Sequence, residues 1–555
     1  MIKYFRRKHS LDIILEPPLL SDDDVLLKSI LEVDCDNINI EFGHIYSVDA
    51  EILKILNHEI NVKRKNIKIT THKYKLDRYF HKLGFSTKFI SLLGSKLVDI
   101  DGIDMILIGG SANSSNKILE FVKNISLENS TLVCVQHVEP DKKGLFDNIL
   151  QKYTKYKVSY ANDGQKIEKK RIYLARNNKH LKVENGYFVL SDEDKYNYAK
   201  PSVSLSYESF SSYYKKSLLV IQECGYANDG VDKLKYAKSQ GSVIIVQNEE
   251  ECEAKPMVTG ALAVGVHDYV LKEKDIGLYL NLVDTRLNYK QWVCYLLEHV
   301  HARYGYDFKL YNRGMLNRRL DVFMIKHDIH NIKDCVGLIL FNKNAFKGFF
   351  LEVSINVTEL FRETESLNHS ITFLKKNYIH AHSLKIWSAG CSSGEEVYSV
   401  AILLKIIGLL KKTTIYATDF NKVILQEAKN ALYSNESYTL ANDNFAKIEL
   451  DGDLDNYFVK YDNFMAISDE IKEKVLFFNH NLAVDSSFNE FDIVMCRNVI
   501  IYFDEELQKR VFQLFYDSLR FGGHLILGES ERIHFIFETK FQKIDNNNNI
   551  YKKVA

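Results

Sequence analysis

Apolar residues in this chain fall into two long stretches of the same pattern. From residue 104 onward the strand-like runs are continuously apolar, as in MILIGG, LVCVQH, SLLVIQE and GSVIIVQ, and a polar helix-like segment follows each one. The same pattern returns after residue 384 in KIWSAG, TIYATD, VLFFNH, FDIVMC and HLILGE. Continuous apolarity is typical of strands that are covered on both faces of a parallel sheet. The alternation with helices therefore predicts two doubly wound α/β domains.

Three other regions do not follow this pattern of apolar strands and polar helical segments. Near the N-terminus the short runs LDIILE, NINIEFG and NIKIT are separated by helix-like stretches at 50–63 and 74–95, which predict a small α/β module. The segment 171–192 alternates around an Asn-Gly pair, which indicates a β-hairpin. The segments YKQWVCYLLEHVHARYGYDF and GMLNRRLDVFMIKH carry apolar residues at helical spacing and predict a small helical domain.

These patterns divide the 555 residues into four expected parts. A chain of this length is expected to form several domains of roughly 100 to 200 residues each. The expected bounds are 1–98 for the N-terminal α/β module, 102–283 for the first doubly wound domain, 288–365 for the helical domain and 366–555 for the second doubly wound domain. The expected fold class is thus α/β, with two parallel-sheet domains, a helical domain and a small module.

Composition excludes several classes of protein. The 73 basic residues balance 73 acidic ones, so no overall charge favours nucleic acid or an anionic membrane. The eight cysteines are scattered without a CxxC pair, and we expect them to be reduced thiols. No apolar run approaches the roughly 18 residues of a membrane span, and the basic start lacks a following apolar segment. We therefore expect a cytoplasmic protein that neither inserts into membranes nor binds nucleic acid or a metal ion.

In the second doubly wound domain, polar motifs follow the strands where they end. Gly390 and Gly394 allow a tight turn after the first strand, and Asp419 ends the second strand, where a carboxylate suits ribose hydroxyls. An Asp that caps a helix is the plainer alternative. Arg497 and Asn498 follow the strand FDIVMC inside an apolar run, which is hard to explain as core packing. The carboxyl edge of this sheet is therefore the expected ligand site.

These strings resemble those of the chemotaxis receptor methyltransferase (CheR-type) family. WSAGCSSGEEVYS, CRNVIIYF and GGHLILGESERI resemble its signature segments, and INVTELFRE resembles its N-x-T-x-F-F-R segment with Leu360 in place of the first Phe. The resemblance covers about residues 290–545 and implies S-adenosylmethionine-dependent methyl esterification of glutamates on chemoreceptors. The cofactor-binding residues that it implies are Asn356, Thr358, Arg362, Glu395 or Glu396, Asp419, Asn481, Leu482, Cys496 and Arg497. Arg362 and Tyr502 are the candidates for orienting the glutamate carboxylate.

The first doubly wound domain carries a serine, a histidine and an aspartate at strand ends. Ser111 follows MILIGG, His137 follows LVCVQ, and Asp229 lies after SLLVIQE, an arrangement that can support a nucleophile, a base and an orienting acid. A serine in such a turn is more often only a helix cap. The strings IGGSANSSN, VQHVEPD, KPSVSLSYESF and CGYANDGVDKL resemble the chemotaxis receptor methylesterase (CheB-type) family over about residues 104–275. The resemblance implies that these three residues form a catalytic triad.

Departures from the methylesterase pattern lie beside the triad residues. Ala112, Asn113 and Ser114 replace the family's Thr-Gly-Gly, and the segment 224–227 replaces its Thr-Gly-Met-Gly. Lost glycines can misplace oxyanion-hole amides, and one lost donor costs roughly 100-fold to 1,000-fold in rate. The N-terminal module resembles, at low specificity, small STAS-type regulatory modules, and we expect it to bind a regulatory partner.

Three hypotheses of function follow. In the first, a methyltransferase and a methylesterase in one chain set and reverse the methylation of chemoreceptor cytoplasmic helices. In the second, only the methyltransferase is active and the esterase-like domain is a docking module. In the third, the chain is a non-catalytic scaffold that binds S-adenosylmethionine as a signal. A methyltransferase for small molecules is a more remote alternative.

Overall fold

The computed structural model describes most of the chain and divides it into two compact units. The described residues are 2–6, 11–15, 23–31, 37–42, 48–63, 65–71, 74–89, 100, 102–111, 115–136, 146–354, 358–544 and 548–555. The first unit combines residues 1–92, 307–321 and 350–555, and the second combines 93–306 and 322–349. Among the described residues, no helix combines the length and the apolarity that a membrane crossing requires.

The N-terminal module of the first unit is a five-stranded sheet with helices. Its elements are β1 (Ile2–Arg6), β2 (Leu11–Leu15), α1 (Asp23–Leu31), β3 (Asn37–Phe42), α2 (Ala50–Asn57), β4 (Asn66–Thr71), α3 (Tyr74–Lys82) and β5 (Thr87–Phe89). The strands lie in the order β1-β2-β3-β4-β5, with β1 antiparallel to β2 and the others parallel. Alternate residues of β2 and β3 are buried, so one face of the sheet carries the core.

The helix expected at 74–95 is too long. It ends at Lys82, Gly84 takes a positive φ of 79°, and the chain then forms β5. A glycine in the left-handed region commonly stops a helix. The small α/β module is otherwise as the pattern predicted, and its STAS-type resemblance stays a prediction.

The second unit is built on a seven-stranded parallel sheet. Its elements are β6 (Met105–Gly110), α4 (Ser115–Asn124), β7 (Thr131–Gln136), α5 (Phe146–Gln151), β8 (Lys157–Tyr160), β9 (Arg171–Leu174), β10 (His180–Glu184), β11 (Tyr187–Ser191), α6 (Val203–Tyr214), β12 (Leu218–Gln222), α7 (Leu234–Ser239), β13 (Val243–Gln247), α8 (Pro256–Val264), β14 (Tyr269–Leu271) and α9 (Glu273–Asp284). The strand order is β14-β13-β12-β6-β7-β9-β8. Every residue of β6, β7, β12 and β13 is buried, as continuous apolarity predicts.

The expected hairpin is present but shorter than the alternating segment suggested. β10 and β11 pair antiparallel around Asn185 and Gly186, which both have positive φ, as a tight hairpin turn requires. The strand Arg171–Leu174 instead pairs with β7 and β8 in the main sheet. The reason is its burial, because Ile172 and Tyr173 are both fully covered and belong to the core of the parallel sheet.

The expectation that every cysteine is a reduced thiol is wrong for one pair. Cys224 and Cys252 form a disulfide with a Cα–Cα distance of 5.7 Å. They follow β12 and β13, and because these parallel neighbours end at the same edge of the sheet, the loops after them meet there. Nothing in the spacing of the two residues signals this contact. Cys134, Cys294, Cys335, Cys391 and Cys496 are not part of a disulfide.

Two helices form where helical spacing predicted them, α10 (Tyr289–Tyr304) and α11 (Arg313–Lys326), and two more follow within the expected helical domain, α12 (Ile332–Phe341) and α13 (Lys343–Val353). A capping box between Asn288 and Gln291 starts α10. Within the second unit, α12 packs on α9, where the ring of Phe341 lies 5.1 Å from that of Tyr279. Lys333 of α12 also donates to the carbonyl oxygen of Val283 at 2.7 Å.

The C-terminal part of the first unit contains a second seven-stranded sheet. Its elements are α14 (Thr364–Tyr378), β15 (Leu384–Ala389), α15 (Glu395–Ile406), β16 (Thr413–Asp419), α16 (Lys422–Asn430), β17 (Leu432–Ser434), α17 (Asn435–Phe445), β18 (Phe458–Lys460), β19 (Phe464–Ile467), α18 (Asp469–Lys472), β20 (Val475–Asn479), β21 (Phe491–Cys496), α19 (Glu505–Ser518), β22 (Leu519–Leu527), β23 (Phe541–Lys543) and β24 (Ile550–Lys553). The strand order is β20-β16-β15-β21-β22-β24-β23, and β20, β16, β15, β21 and β22 run parallel. Both expected parallel-sheet domains are thus confirmed, whereas the four domain bounds stay predictions.

The strand order of this second sheet positions the site. The chain leaves β15 for β16 on one side and reaches β21 on the other, so the strand order reverses at β15, and ligands of open α/β sheets bind outside the strand ends at such a point. A separate antiparallel sheet, β17-β19-β18, was not predicted from the sequence.

Candidate functional site

A cavity lies at the carboxyl edge of β15, β16, β20 and β21. Each of these four strands contributes the residues that directly follow it. The lining residues are Tyr311, Val353, Ser354, Thr358, Arg362, Gly390, Cys391, Ser392, Glu396, Asp419, Phe420, His480, Asn481, Leu482, Arg497, Asn498, Val499, Tyr502 and Phe503. The cavity therefore occupies the place that the strand-end motifs predicted.

The turn after β15 forms one wall, and we call residues 390–396 the cofactor loop. The backbone N–H groups of Gly390 and Cys391 both donate to the carbonyl oxygen of Thr418, at 2.8 and 2.9 Å. Gly390 has a φ of 77°, and a Cβ there would lie 2.6 Å from a methyl carbon of Val499. Only glycine satisfies both conditions, which is why the loop can lie close against the end of β21.

Asp419 is buried at the end of β16 and lines the cavity. Its Oδ2 accepts a hydrogen bond from the N–H of Ser392 at 3.1 Å, and its Oδ1 accepts one from the N–H of Asn421 at 2.9 Å. The helix after β16 is capped by the Asn421 side chain, which accepts from Val423 and Ile424. Asp419 is therefore not the cap, and the plainer alternative for this residue is wrong.

Arg497 joins three segments beside the cavity. Its Nη1 donates to Glu396 at 3.1 Å, and its Nη2 donates to Glu363 at 3.1 Å and to the carbonyl oxygen of Arg362 at 3.3 Å. Burial raises the pKa of Glu396, and the charge of Arg497 only partly offsets this. Burial also opposes ionisation of Glu363, but the hydrogen bond from Asn498 and the charge of Arg497 together lower its pKa.

The segment after β21 is held by a residue that the sequence analysis did not single out. Glu531 accepts from the N–H groups of Asn498, Val499 and Ile500 at 2.8 to 2.9 Å, and from that of Gly528 at 2.9 Å. Burial raises its pKa, against the effect of these backbone donors. The string GESERI contains Glu531 and was the available signal, but its role depends on the return of β22 beside β21.

The structure brings most of the predicted site residues together. Those that line the cavity are Thr358, Arg362, Glu396, Asp419, Asn481, Leu482, Arg497 and Tyr502. Of the two glutamates left open, Glu396 faces the cavity, whereas the side chain of Glu395 lies elsewhere and bonds to Lys82 and Ser393. Cys496 is fully buried behind the lining, and Asn356 lies outside the described residues. The roles of all of these residues stay predictions.

Several further lining residues were not identified from the sequence, among them two aromatic residues and a histidine. Tyr311 and Phe420 contribute aromatic side chains, and His480 follows β20. The ring of Tyr311 lies 5.3 Å from that of Phe503, and burial, followed by the charge of Asp419, raises its pKa. No sequence motif marks Tyr311, because it reaches the cavity from a loop between helices.

In the second unit, the structure describes two of the three predicted triad residues. Ser111 is buried directly after β6, and its N–H donates to the carbonyl oxygen of Cys224 at 3.3 Å. Asp229 is fully buried, and it accepts from Ser202 Oγ, Val203 N–H and Ser204 N–H at 2.6 to 3.0 Å. His137 lies outside the described residues. A carboxylate can accept about four hydrogen bonds, so these three hydrogen bonds to Asp229 are chemically compatible with a role in orienting a histidine.

The fold and the cavity of the first unit define a Rossmann-like α/β protein with a ligand site at a topological switch point. Residues 356–550 match the SAM-binding domain of CheR methyltransferase, and residues 294–354 match its all-alpha domain. Residues 106–280 match CheB methylesterase. The chain belongs to the CheR methyltransferase family, whose cofactor is S-adenosylmethionine, and it also carries a CheB methylesterase domain.

Related proteins match parts of this chain. The putative methyltransferase Cher3 of Pseudomonas putida is 33% identical over 262 residues, which are 46% of this chain and 95% of that protein. A chemotaxis protein methyltransferase of Listeria innocua is 30% identical over 41% of this chain and 85% of that protein. An uncharacterised 104.1 kDa protein of Rhodobacter capsulatus is 22% identical over 70% of this chain, which spans less than half, 44%, of that protein.

Proposed function

We propose that the chain transfers a methyl group from S-adenosylmethionine to glutamate side chains on the cytoplasmic helices of chemoreceptors. The observation that carries this proposal is that Asp419, Glu396, Arg362 and Arg497 meet on one cavity at the switch point of a CheR-type sheet. The Listeria innocua relative is named a chemotaxis protein methyltransferase, which supports a chemoreceptor as the acceptor.

The residues present fit the cofactor. The carboxylate of Asp419 is suited to accept hydrogen bonds from ribose hydroxyls, and Phe420 and Leu482 offer apolar surface beside it for a purine ring. Glu396 is the carboxylate placed to pair with an ammonium group, and Asn481 adds an amide. When bound, S-adenosylmethionine would supply a methyl group on a sulfonium, so that an acceptor carboxylate oxygen bonds to the methyl carbon as the carbon–sulfur bond breaks and S-adenosylhomocysteine leaves as a thioether.

The chain's own contribution to the transfer is position and the exclusion of water. An in-line displacement by a carboxylate needs little acid-base chemistry, and it gains from close alignment in a dry site. Arg362 and Tyr502 both line the cavity, so a guanidinium and a phenol are placed to hold the acceptor carboxylate. The exposed Arg313 and Arg318 of α11 add positive charge that suits acidic receptor helices.

The experiment uses the full chain, a purified receptor cytoplasmic fragment and S-adenosylmethionine with a labelled methyl group. We expect incorporation of label that mild base releases as methanol, because carboxyl methyl esters are base-labile and methylamines are not. Arg362→Ala is expected to lose most of the activity, whereas Arg510→Ala, on an exposed side chain of α19 outside the cavity lining, is expected to keep it. Label that resists base would contradict glutamate as the acceptor.

The second candidate function is hydrolysis of the same methyl esters. Ser111 and Asp229 belong to the loops after the adjacent strands β6 and β12 of a CheB-type sheet, which supports Ser111 as nucleophile, His137 as base and Asp229 as orienting acid. The test is release of methanol from pre-methylated receptor fragment. Loss of release in Ser111→Ala, with methyl transfer retained, supports this function. No release by the wild type would leave the second unit as a docking module.

A further inference from the structure

The N-terminal module shares an apolar core with the small antiparallel sheet of the methyltransferase part. Leu432 of β17 and Phe464 and Ala466 of β19 belong to the same buried cluster as the core of the module. The ring of Phe464 lies 6.3 Å from that of Phe85, which follows α3. A shared core fixes the position of α3 against the methyltransferase part, since close-packed interiors transmit displacements.

Two residues of helix α3 take part in the polar contacts across this core. Tyr79 and Lys82 are three residues apart, so they lie on one side of the helix. The side-chain amide of Asn430 donates to the carbonyl oxygen of Val48 at 2.6 Å and lies 3.4 Å from the Tyr79 hydroxyl. One turn further along, Lys82 Nζ lies 3.0 Å from Oε1 of Glu395 and 5.8 Å from the centre of the Tyr433 ring.

Glu395 connects this contact to the cofactor loop. Its Oε2 accepts from Ser393 Oγ at 2.6 Å, and its carbonyl oxygen accepts from Ser399 Oγ, also at 2.6 Å. The Ser399 hydroxyl accepts in turn from the N–H of Phe361, which precedes Arg362. The next residue along the chain, Glu396, lines the cavity and pairs with Arg497. The position of Glu395 therefore affects two segments that line the cavity, the one that carries Glu396 and the one that carries Arg362.

The charge on Glu395 requires a partner. Its side chain is only 3% exposed, and a buried carboxylate without a cation is strongly disfavoured. Lys82, whose side chain is 37% exposed, brings a cation to it from a different part of the sequence, 313 positions away. If this cation is removed, the Glu395 carboxylate loses its ion pair, and a rearrangement of its side chain disturbs the hydrogen bond from Ser393 and the backbone of the loop.

The geometry points to Lys82 as a positioning residue for S-adenosylmethionine binding, so that docking of the N-terminal module sets the affinity of the methyltransferase part for its cofactor. This inference rests on the proposed function, because it assumes that the cavity holds the cofactor. It assigns the module a role in cofactor binding, through the pair of Lys82 and Glu395. Lys82 itself does not line the cavity.

The test is calorimetric titration of the full chain with S-adenosylhomocysteine, which needs no acceptor protein. We expect Lys82→Met to raise the dissociation constant about tenfold or more, and Lys82→Arg, which keeps the cation, to stay closer to the wild type. With receptor fragment as acceptor, the KM for S-adenosylmethionine is expected to rise while kcat at saturation changes less than twofold. In the Glu395→Gln background, Lys82→Met is expected to have little further effect, because the pair is already broken.

Lys63→Met is a control for the loss of an ion-pair partner within the module itself. Lys63 is 39% exposed and pairs at 2.8 Å with Glu59, which is 2% exposed and also pairs with Lys65 at 3.2 Å, and all three residues belong to the module. The dissociation constant of the Lys63→Met variant for S-adenosylhomocysteine is expected to stay within twofold of the wild-type value. Unchanged affinity in Lys82→Met, or equal losses in Lys82→Met and Lys63→Met, would overturn the inference and leave the proposed function standing. A wild type that does not bind S-adenosylhomocysteine would overturn both.

Discussion

The guanidinium of Arg497 lies 3.1 Å from a carboxylate oxygen of Glu396, and the arginine side chain is only 1% exposed. The two residues follow different strands, β21 and β15, which are neighbours in the sheet. Their contact therefore places an ion pair at the topological switch point of the sheet, with the Glu396 carboxylate in the wall of the cavity.

The first prediction concerns the stability that Arg497 provides. Arg497→Met leaves Glu396 and Glu363 without their shared cation, and breaking a buried pair in this way typically costs about 3–5 kcal/mol. Urea unfolding measures this loss, and the binding of S-adenosylhomocysteine is expected to weaken in parallel. Arg510→Met serves as the control, because its side chain is exposed and bonds to the carbonyl oxygen of Val484. Equal unfolding curves for the two variants would contradict the role of Arg497.

The second prediction concerns cofactor affinity. Asp419→Ala removes a carboxylate that lines the cavity, and hydrogen bonds to charged groups contribute about 1.5–3 kcal/mol, so affinity for S-adenosylhomocysteine is expected to fall roughly 10-fold to 100-fold. Calorimetric titration measures the change. Asp451→Ala, an exposed acidic residue outside the lining, is expected to bind like the wild type. If the two variants bind equally well, the ribose contact assigned to Asp419 is wrong.

The third prediction concerns pH and His524. Burial, followed by the charges of Lys552 and Arg520, lowers the pKa of His524 to about 4, from an ordinary value near 6.5. A base whose pKa is lowered on folding contributes stability above about pH 6.5 and loses it as the pH falls toward 4. His524→Gln is therefore expected to lose less stability between pH 7.5 and pH 5 than the wild type, by about 1 kcal/mol after allowance for partial solvation.

Urea unfolding at the two pH values measures this difference. The imidazole Nδ1 lies 2.6 Å from the hydroxyl of Tyr378, so part of any loss in the variant is independent of pH. Only the difference between the two pH values tests the prediction. The same pH dependence in both proteins would refute it.

The fourth prediction separates structure from catalysis in the second unit. Asp229→Ala leaves the N–H groups of Val203 and Ser204 without their acceptor, and each buried unpaired group costs about 1–3 kcal/mol. We expect a clearly lower melting temperature for this variant. Ser111→Ala is expected to melt like the wild type, since a small buried hydroxyl is removed, and to lose only ester hydrolysis. Thermal unfolding of both full-length variants measures these melting temperatures. Equal melting temperatures for Asp229→Ala and the wild type would contradict the prediction.

Several features were readable from the sequence because they depend on local pattern. Continuous apolarity predicted the buried parallel strands, since such strands are covered on both faces. Residues that end a strand or directly follow one, such as Asp419 and Arg497, had to lie at the carboxyl edge once the strands were known to be parallel. The Asn-Gly pair predicted the hairpin because its turn needs two residues with positive φ.

Other features depended on how separately formed elements pack. Three of these features result from contacts between distant segments. They are the disulfide between Cys224 and Cys252, the hydrogen bonds that Glu531 accepts from the segment after β21, and the different positions of Glu395 and Glu396. The pairing of Lys82 with Glu395 joins residues 313 positions apart, and no local periodicity encodes it. The sequence by itself determined the buried parallel strands and where the ligand edge lies, because these follow from the local apolar pattern. Only the tertiary structure decided which charges meet, because that depends on the packing of whole elements.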